Sequence, residues 1–92
     1  MILPAARADL IEIGDFIAQD NPGRALSFLA EIEAKMHEAA ERPESFPARG
    51  DVGAGLRAAR HGRHLIFFLN TDEEVQIVRV LHGARDLPRI FG

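Results

Sequence analysis

The sequence predicts an α+β fold: a two-helix antiparallel hairpin packed on a small antiparallel β-sheet. Three observations carry this expectation. Apolar residues recur every three or four positions over residues 5–18 and again over 22–41, the period of amphipathic helices. Only Asp20-Asn21-Pro22-Gly23 breaks that pattern, and so short a connection requires the two helices to fold back on each other. The C-terminal half changes period. Its apolar runs Leu65–Leu69 and Val75–Leu81 are rich in Ile, Val, Phe and Leu and too short for stable helices.

The first helix opens at Pro4, whose missing N–H costs nothing at that position. Ala6, Leu10, Ile13 and Ile17 form its apolar stripe, with Phe16 widening it. Asp9, Glu12, Asp15 and Gln19 are assigned to a solvated flank, and Gly14 to a close-packing point against a neighbour. Leu3 stands where a Ser or Thr cap is usual, and Ile2–Leu3 are expected to form at most a short strand. A strand so truncated would leave a sheet edge or groove bare. In the second helix, Asn21 is the cap and Pro22 the first residue. Its stripe is Ala25, Leu29, Ile32, Met36 and Ala39, supplemented by Phe28 and Ala40, and Arg42-Pro43 ends it.

Residues 44–55 hold one proline and three glycines and read as a loop, which Phe46 pins to the core. A strand Leu56–Arg60, a turn at His61-Gly62, a strand Arg63–Leu69, an acidic turn at Asn70–Glu74 and a strand Val75–Leu81 follow as a meander. Both apolar runs carry large residues on both alternating faces, which calls for cover on two sides.

Ninety-two residues make one domain, 1–92, with a modest core. The longest apolar run, five residues, is far too short for a membrane span, and the N-terminus lacks the pattern of a signal peptide. No cysteine is present, which removes disulfides and thiolate metal sites. A cytoplasmic location follows as the expectation. The net charge of −3 hides an asymmetry: four basic against nine acidic groups in residues 1–46, seven arginines against five acids in 47–92. Ten of the eleven basic residues are arginine, whose planar fork suits carboxylates and phosphates.

No nucleotide-binding loop, nucleophile elbow or metalloprotease motif occurs. His61 and His64 stand three apart, with His37 and His82 elsewhere. Without a carboxylate or further histidine nearby they read as exposed turn residues, and neither a metal nor a cofactor is expected. The candidate site is the basic set Arg57, Arg60, Arg63, Arg79, His82 and Arg85, with Arg89, all placed on strands or strand ends. Arg79 sits among Val and Leu; it must either pair with a buried carboxylate, Asp86 being the candidate, or reach an open surface. These residues could bridge to the acidic helices. They could also present an electropositive surface to an acidic partner, protein or nucleic acid, or form an Arg/His set for RNA cleavage with His82 as acid or base.

The segments PAARADLIEIGDFIAQDNP, SFLAEIEAKM, PESFP, GLRAARHGRHLIFFL and VQIVRVLHGARDL together resemble the ParE toxins of the RelE/ParE superfamily, with the ending RVLHGARDL the most specific part. The resemblance covers nearly the whole chain. It implies a RelE/ParE-like fold and the toxin of a type II toxin–antitoxin system, held as a hetero-oligomer by a cognate ParD-like antitoxin. ParE-type relatives are associated with poisoning DNA gyrase, blocking replication, growth arrest and plasmid stabilisation. RelE-type relatives cut mRNA on the ribosome with basic residues on the sheet and a C-terminal Tyr or His. This chain has no tyrosine, and its single lysine, Lys35, lies on the second helix. Carried over by position, Arg60 or Arg63 and Arg85 match basic residues of the nuclease branch, with His82 in the acid/base role, so a nuclease would use His82, Arg85 and Arg63. An acidic chain suits RNA poorly. The expectation is therefore a protein-binding gyrase poison rather than a catalyst, with Arg57, Arg60, Arg63, Arg79, His82 and Arg85 contacting target or antitoxin.

Overall fold

The computed structural model describes residues 1–91. Helix α1 spans Pro4–Ala18 and α2 spans Pro22–Glu41; a single 3-10 turn, Pro43–Ser45, follows. Strands β1 (Leu56–His61), β2 (His64–Asn70) and β3 (Val75–His82) form an antiparallel sheet in that spatial order, and a short helix α3 covers Leu87–Phe91. The α+β architecture, its two long helices and its three antiparallel strands match the expectation, which holds neither the 3-10 turn nor α3. The capping detail holds too: the Asn21 side chain accepts the Arg24 N–H at 3.0 Å, while Leu3 gives α1 no side-chain cap.

The first turn differs by one residue from the expected His61-Gly62. His61 pairs with His64, so the turn residues are Gly62 and Arg63. Gly62 takes φ +59, the positive value that a two-residue hairpin turn beginning with glycine requires.

The sheet separates two apolar layers. On one face Ala59, Ile66, Phe68, Ile77 and Val80 meet Ala6 of α1 and Phe28, Ile32, Met36 and Ala39 of α2. Phe46 stands edge-on to Phe68 at 6.0 Å, so the loop after α2 is pinned as expected. On the other face Leu56, Ala58, Leu65, Phe67 and Leu81 are closed over by Val52 of the loop and Leu87 of α3. Phe91 stands edge-on to Phe67 at 4.9 Å. The loop and α3 thus supply the second cover that the doubly apolar strands demanded.

The helix stripes need two corrections. Ala40 is exposed and does not supplement the stripe of α2. Phe16 is 73 % exposed and does not widen the buried face. Gly14, in contrast, does lie against the second helix: a Cβ built on it would stand 3.0 Å from Leu29 Cδ1. That distance is tight, but the leucine tip can give way. Gly14→Ala is therefore expected to change stability by less than about 1 kcal/mol, because better helix propensity offsets the contact. Gly14→Val should cost about 1–3 kcal/mol by overpacking. Urea unfolding of both variants checks the contrast; equal stabilities would show the helices are not in tight contact there.

Strand β3 carries a bulge. Phe67 opposes Arg79 while Phe68 opposes Ile77, which leaves Val78 as the extra residue. Ile77 and Val80, three apart, therefore both face the helices and both aim their N–H groups off the sheet edge. Those donors are taken. Ile77 N–H donates to the Met1 carbonyl at 2.8 Å and its own carbonyl accepts Leu3 N–H at 2.9 Å, a single parallel bridge between Ile2 and Ile77. Val80 N–H donates to the Asp9 carboxylate at 2.9 Å. The N-terminal strand is as short as expected, yet this stretch of edge is not left bare.

Candidate functional site

The six candidate residues do not form one surface. Arg57 is half-buried, and its guanidinium donates to the Phe46 carbonyl at 2.7 Å, holding the loop that Phe46 anchors. Arg79 makes a two-pronged ion pair with Asp9, Nε and Nη2 each donating at 2.8 Å. Asp9 is only 7 % exposed, and with the Val80 bond it accepts three hydrogen bonds. The partner foreseen for Arg79, Asp86, is instead exposed in the turn before α3. Asp9, assigned to the solvated flank of α1, is the one buried acid among the described residues. Its position in the sequence held the clue: it lies three residues after Ala6 and four before Ile13, on the apolar stripe itself. Arg89 lies exposed on α3 rather than at a strand end.

The other members gather at the turn end of the sheet. Gly83 N–H donates to the Arg63 carbonyl at 2.8 Å, which ties the β1–β2 turn to the segment following β3. This brings Arg63 and the neighbourhood of His82 and Arg85 into one corner. Arg60, Arg63 and Arg85 are exposed there, and none makes a salt bridge to a carboxylate among the described residues. Alongside runs a groove of about 350 Å³ between α1 and the sheet, lined by Glu12, Ile13, Phe16, His64, His82 and Arg85 among others.

His82 is bound in a way that limits its chemistry. Its Nδ1 accepts the Ala84 N–H at 3.1 Å. That bond assigns the neutral tautomer with the proton on Nε2, so neither nitrogen offers a free lone pair. Among the described residues no carboxylate bonds the ring to turn it toward a substrate.

Three of the four histidines come together, although the sequence reads His61 and His64 as exposed turn residues and His82 as lying at a separate strand end. His61 opposes His64 across β1–β2, and His64 opposes His82 across β2–β3. Ring centroids of His64 and His82 are 5.5 Å apart, and Phe28 of α2 contacts both His61 (5.4 Å) and His64 (5.3 Å). His61 Nε2 lies 2.8 Å from Glu31, which also binds Arg24. Burial, then the charges of His82 and His61, push His64 below the usual histidine value. No group of three His, Asp or Glu among the described residues is arranged to hold a metal ion.

The comparison with known families bears on this arrangement. Residues 1–87 match the family described as ParE toxin of type II toxin–antitoxin system, parDE. The chain belongs to the ParE toxin family. A solved structure, "Chromosomal ParDE TA system from P. aeruginosa", superposes with a TM-score of 0.74 at 21 % sequence identity, over 88 % of this chain and 90 % of that one. At that identity the likeness speaks for the fold. A search of curated proteins finds no match. The ParE family model ends at Leu87, the first residue of α3, so the turn end of the sheet with His82 and Arg85 lies within it while the rest of α3 lies beyond. Among the described residues of this ParE-family chain no helix is long and apolar enough to cross a membrane.

Proposed function

We propose that this ParE-family chain is the toxin of a type II toxin–antitoxin pair, acting in the cytoplasm. It binds DNA gyrase, arrests growth by blocking replication, and so stabilises the plasmid or locus that carries it. The observation supporting a binding poison over a nuclease is the state of His82: its Nδ1 is occupied by a main-chain donor, and no acid stands behind it. Arg79 is likewise neutralised by Asp9 and unavailable to a phosphate.

A cognate ParD-like antitoxin neutralises the toxin in a hetero-oligomer. An apolar face of that antitoxin would suit the groove of about 380 Å³ lined by Ile2, Leu10, Leu29 and Val75, with Met36 and Ile77 at its floor. Arg60, Arg63 and Arg85 would meet acidic side chains of target or antitoxin.

The nuclease reading keeps one observation in its favour, since Arg63 and Arg85 do reach the corner occupied by His82. Two reactions separate the readings: purified protein added to a gyrase supercoiling assay, and to translating ribosomes. Cleaved DNA without cut mRNA is expected, and the reverse would select the nuclease. His82→Ala should leave growth arrest on induction nearly intact; a general acid or base would lose roughly 10²–10⁴-fold in rate. Absence of any growth arrest from the unsubstituted chain would overturn both readings in favour of a non-toxic, antitoxin-binding homologue.

A further inference from the structure

We propose that the row of His61, His64 and His82, with Phe28 laid across it, is a proton-operated joint between the helix hairpin and the turn end of the sheet. It stays closed while the rings are neutral and loosens as they gain charge. This holds whichever target the toxin acts on.

The row follows from the register. Directly opposed residues of antiparallel strands share a face, so one histidine from each strand lines up across the sheet on the side of α2. Phe28 is 9 % exposed and contacts two of the three rings, so the joint is apolar where it meets the hairpin. Neutral imidazoles pack well against a phenyl ring and against each other at 5.3–5.5 Å. Imidazolium ions at the same spacing repel one another, and the partial burial of His64 adds a desolvation cost.

The surrounding charges compensate only one end of the row. From α2, Glu31 bonds His61 at 2.8 Å, but it is shared with Arg24 at 2.6 Å. From α1, Asp9 and Glu12 line the groove beside His64 and His82; Asp9 is committed to Arg79 and the Val80 N–H, which leaves Glu12. From the segment after β3, Arg85 lines the same groove and adds only positive charge, while Arg60 opposes Leu65 and lies on the other face of the sheet. His64, in the middle, bonds to no carboxylate and faces histidines on both sides.

The sign follows from burial and from the neighbouring histidines, which hold His64 below its unfolded value of 6.5. The unfolded chain then binds more protons than the folded one just below pH 6.5. Stability is full above that pH and falls as the solution is acidified through it. Glu31, held below 4.5 by Arg24 and His61, keeps its own contribution until more acidic conditions. The window between pH 7.5 and 5.5 therefore reads the joint.

The test uses the purified full chain. Urea unfolding at pH 7.5 and 5.5 should show the unfolding constant rising about twofold or more at the lower pH. NMR titration of the histidine rings should find His64 protonating below 6.5, and protonating more easily in His82→Gln, where one repelling neighbour is gone. His64→Gln should flatten the pH dependence of stability. His64 titrating at or above 6.5 in the unsubstituted chain would overturn the proposal, as would an unfolding constant equal at the two pH values. A His64→Gln chain that kept the full pH dependence would overturn it too. If that variant fails to fold, the ring titration of the unsubstituted chain decides alone.

Discussion

Asp9→Ala is expected to destabilise the chain by about 2–4 kcal/mol. Removing one partner of a fully buried ion pair typically costs about 3–5 kcal/mol, because the other charge is left without compensation. Here the Arg79 side chain keeps 25 % of its surface in contact with solvent, which lowers the figure. The Val80 N–H, left without an acceptor at the strand edge, raises it again. Asp9→Asn retains an oxygen for Val80 and should cost less, about 1–2 kcal/mol. Arg79→Met makes the reciprocal test, since it strands the carboxylate in a buried position. A double-mutant cycle should then show that the two losses do not add, with a coupling of about 1 kcal/mol or more. A loss below 1 kcal/mol for Asp9→Ala would mean that helix α1 is not fastened to β3 through this carboxylate.

Phe68→Ala should cost more still, about 3–5 kcal/mol. Phe68 is fully buried, lies at the centre of the layer beneath both helices, and carries Phe46 edge-on. The cavity has rigid walls, because two long helices and the sheet cannot collapse into it. A chain of this length holds roughly 5–14 kcal/mol in total, so the variant should lose a large share of its stability. Phe67→Ala removes the same group from the opposite face and should cost less by about 1 kcal/mol. There the cover is a loop and a five-residue helix, which can settle inward. Urea midpoints of the two variants compare the faces directly; equal losses would mean that the loop and α3 are as rigid as the helix hairpin.

How far the sequence discloses this molecule depends on how local each signal is. Helix α2 begins and ends where Asn21, Pro22 and Arg42-Pro43 place it, because caps and proline act within a turn of the chain. The strands appear where short β-branched and aromatic runs occur, and the demand for cover on both faces is met. The site is less legible because its contacts are long-range. Asp9 and Arg79 are 70 residues apart, and only tertiary packing selects Asp9 over the nearer Asp86. The histidine row depends on two registers. The first is fixed by the turn at Gly62-Arg63, and a one-residue error there hid the His61–His64 pairing. The second places His82 opposite His64 across the β2–β3 pair, which the bulge at Val78 interrupts. Six basic residues divide in space: Arg57 and Arg79 hold the fold together, while Arg60, Arg63 and Arg85 stay exposed toward the turn end of the sheet, near His82.

The bulge has a bearing on how copies of this chain behave toward each other. A straight edge strand repeats its outward donors and acceptors at every second residue, and so offers a template on which a second chain can continue the sheet. In β3 the repeat is broken at Val78, the donors on either side are already engaged by the chain's own first residues and by a carboxylate, and that carboxylate places negative charge where an incoming carbonyl would have to sit. An invading strand would have to displace Met1–Leu3 and then meet Asp9. This side of the sheet is in effect a terminus, and self-association by strand exchange would have to look for its start elsewhere.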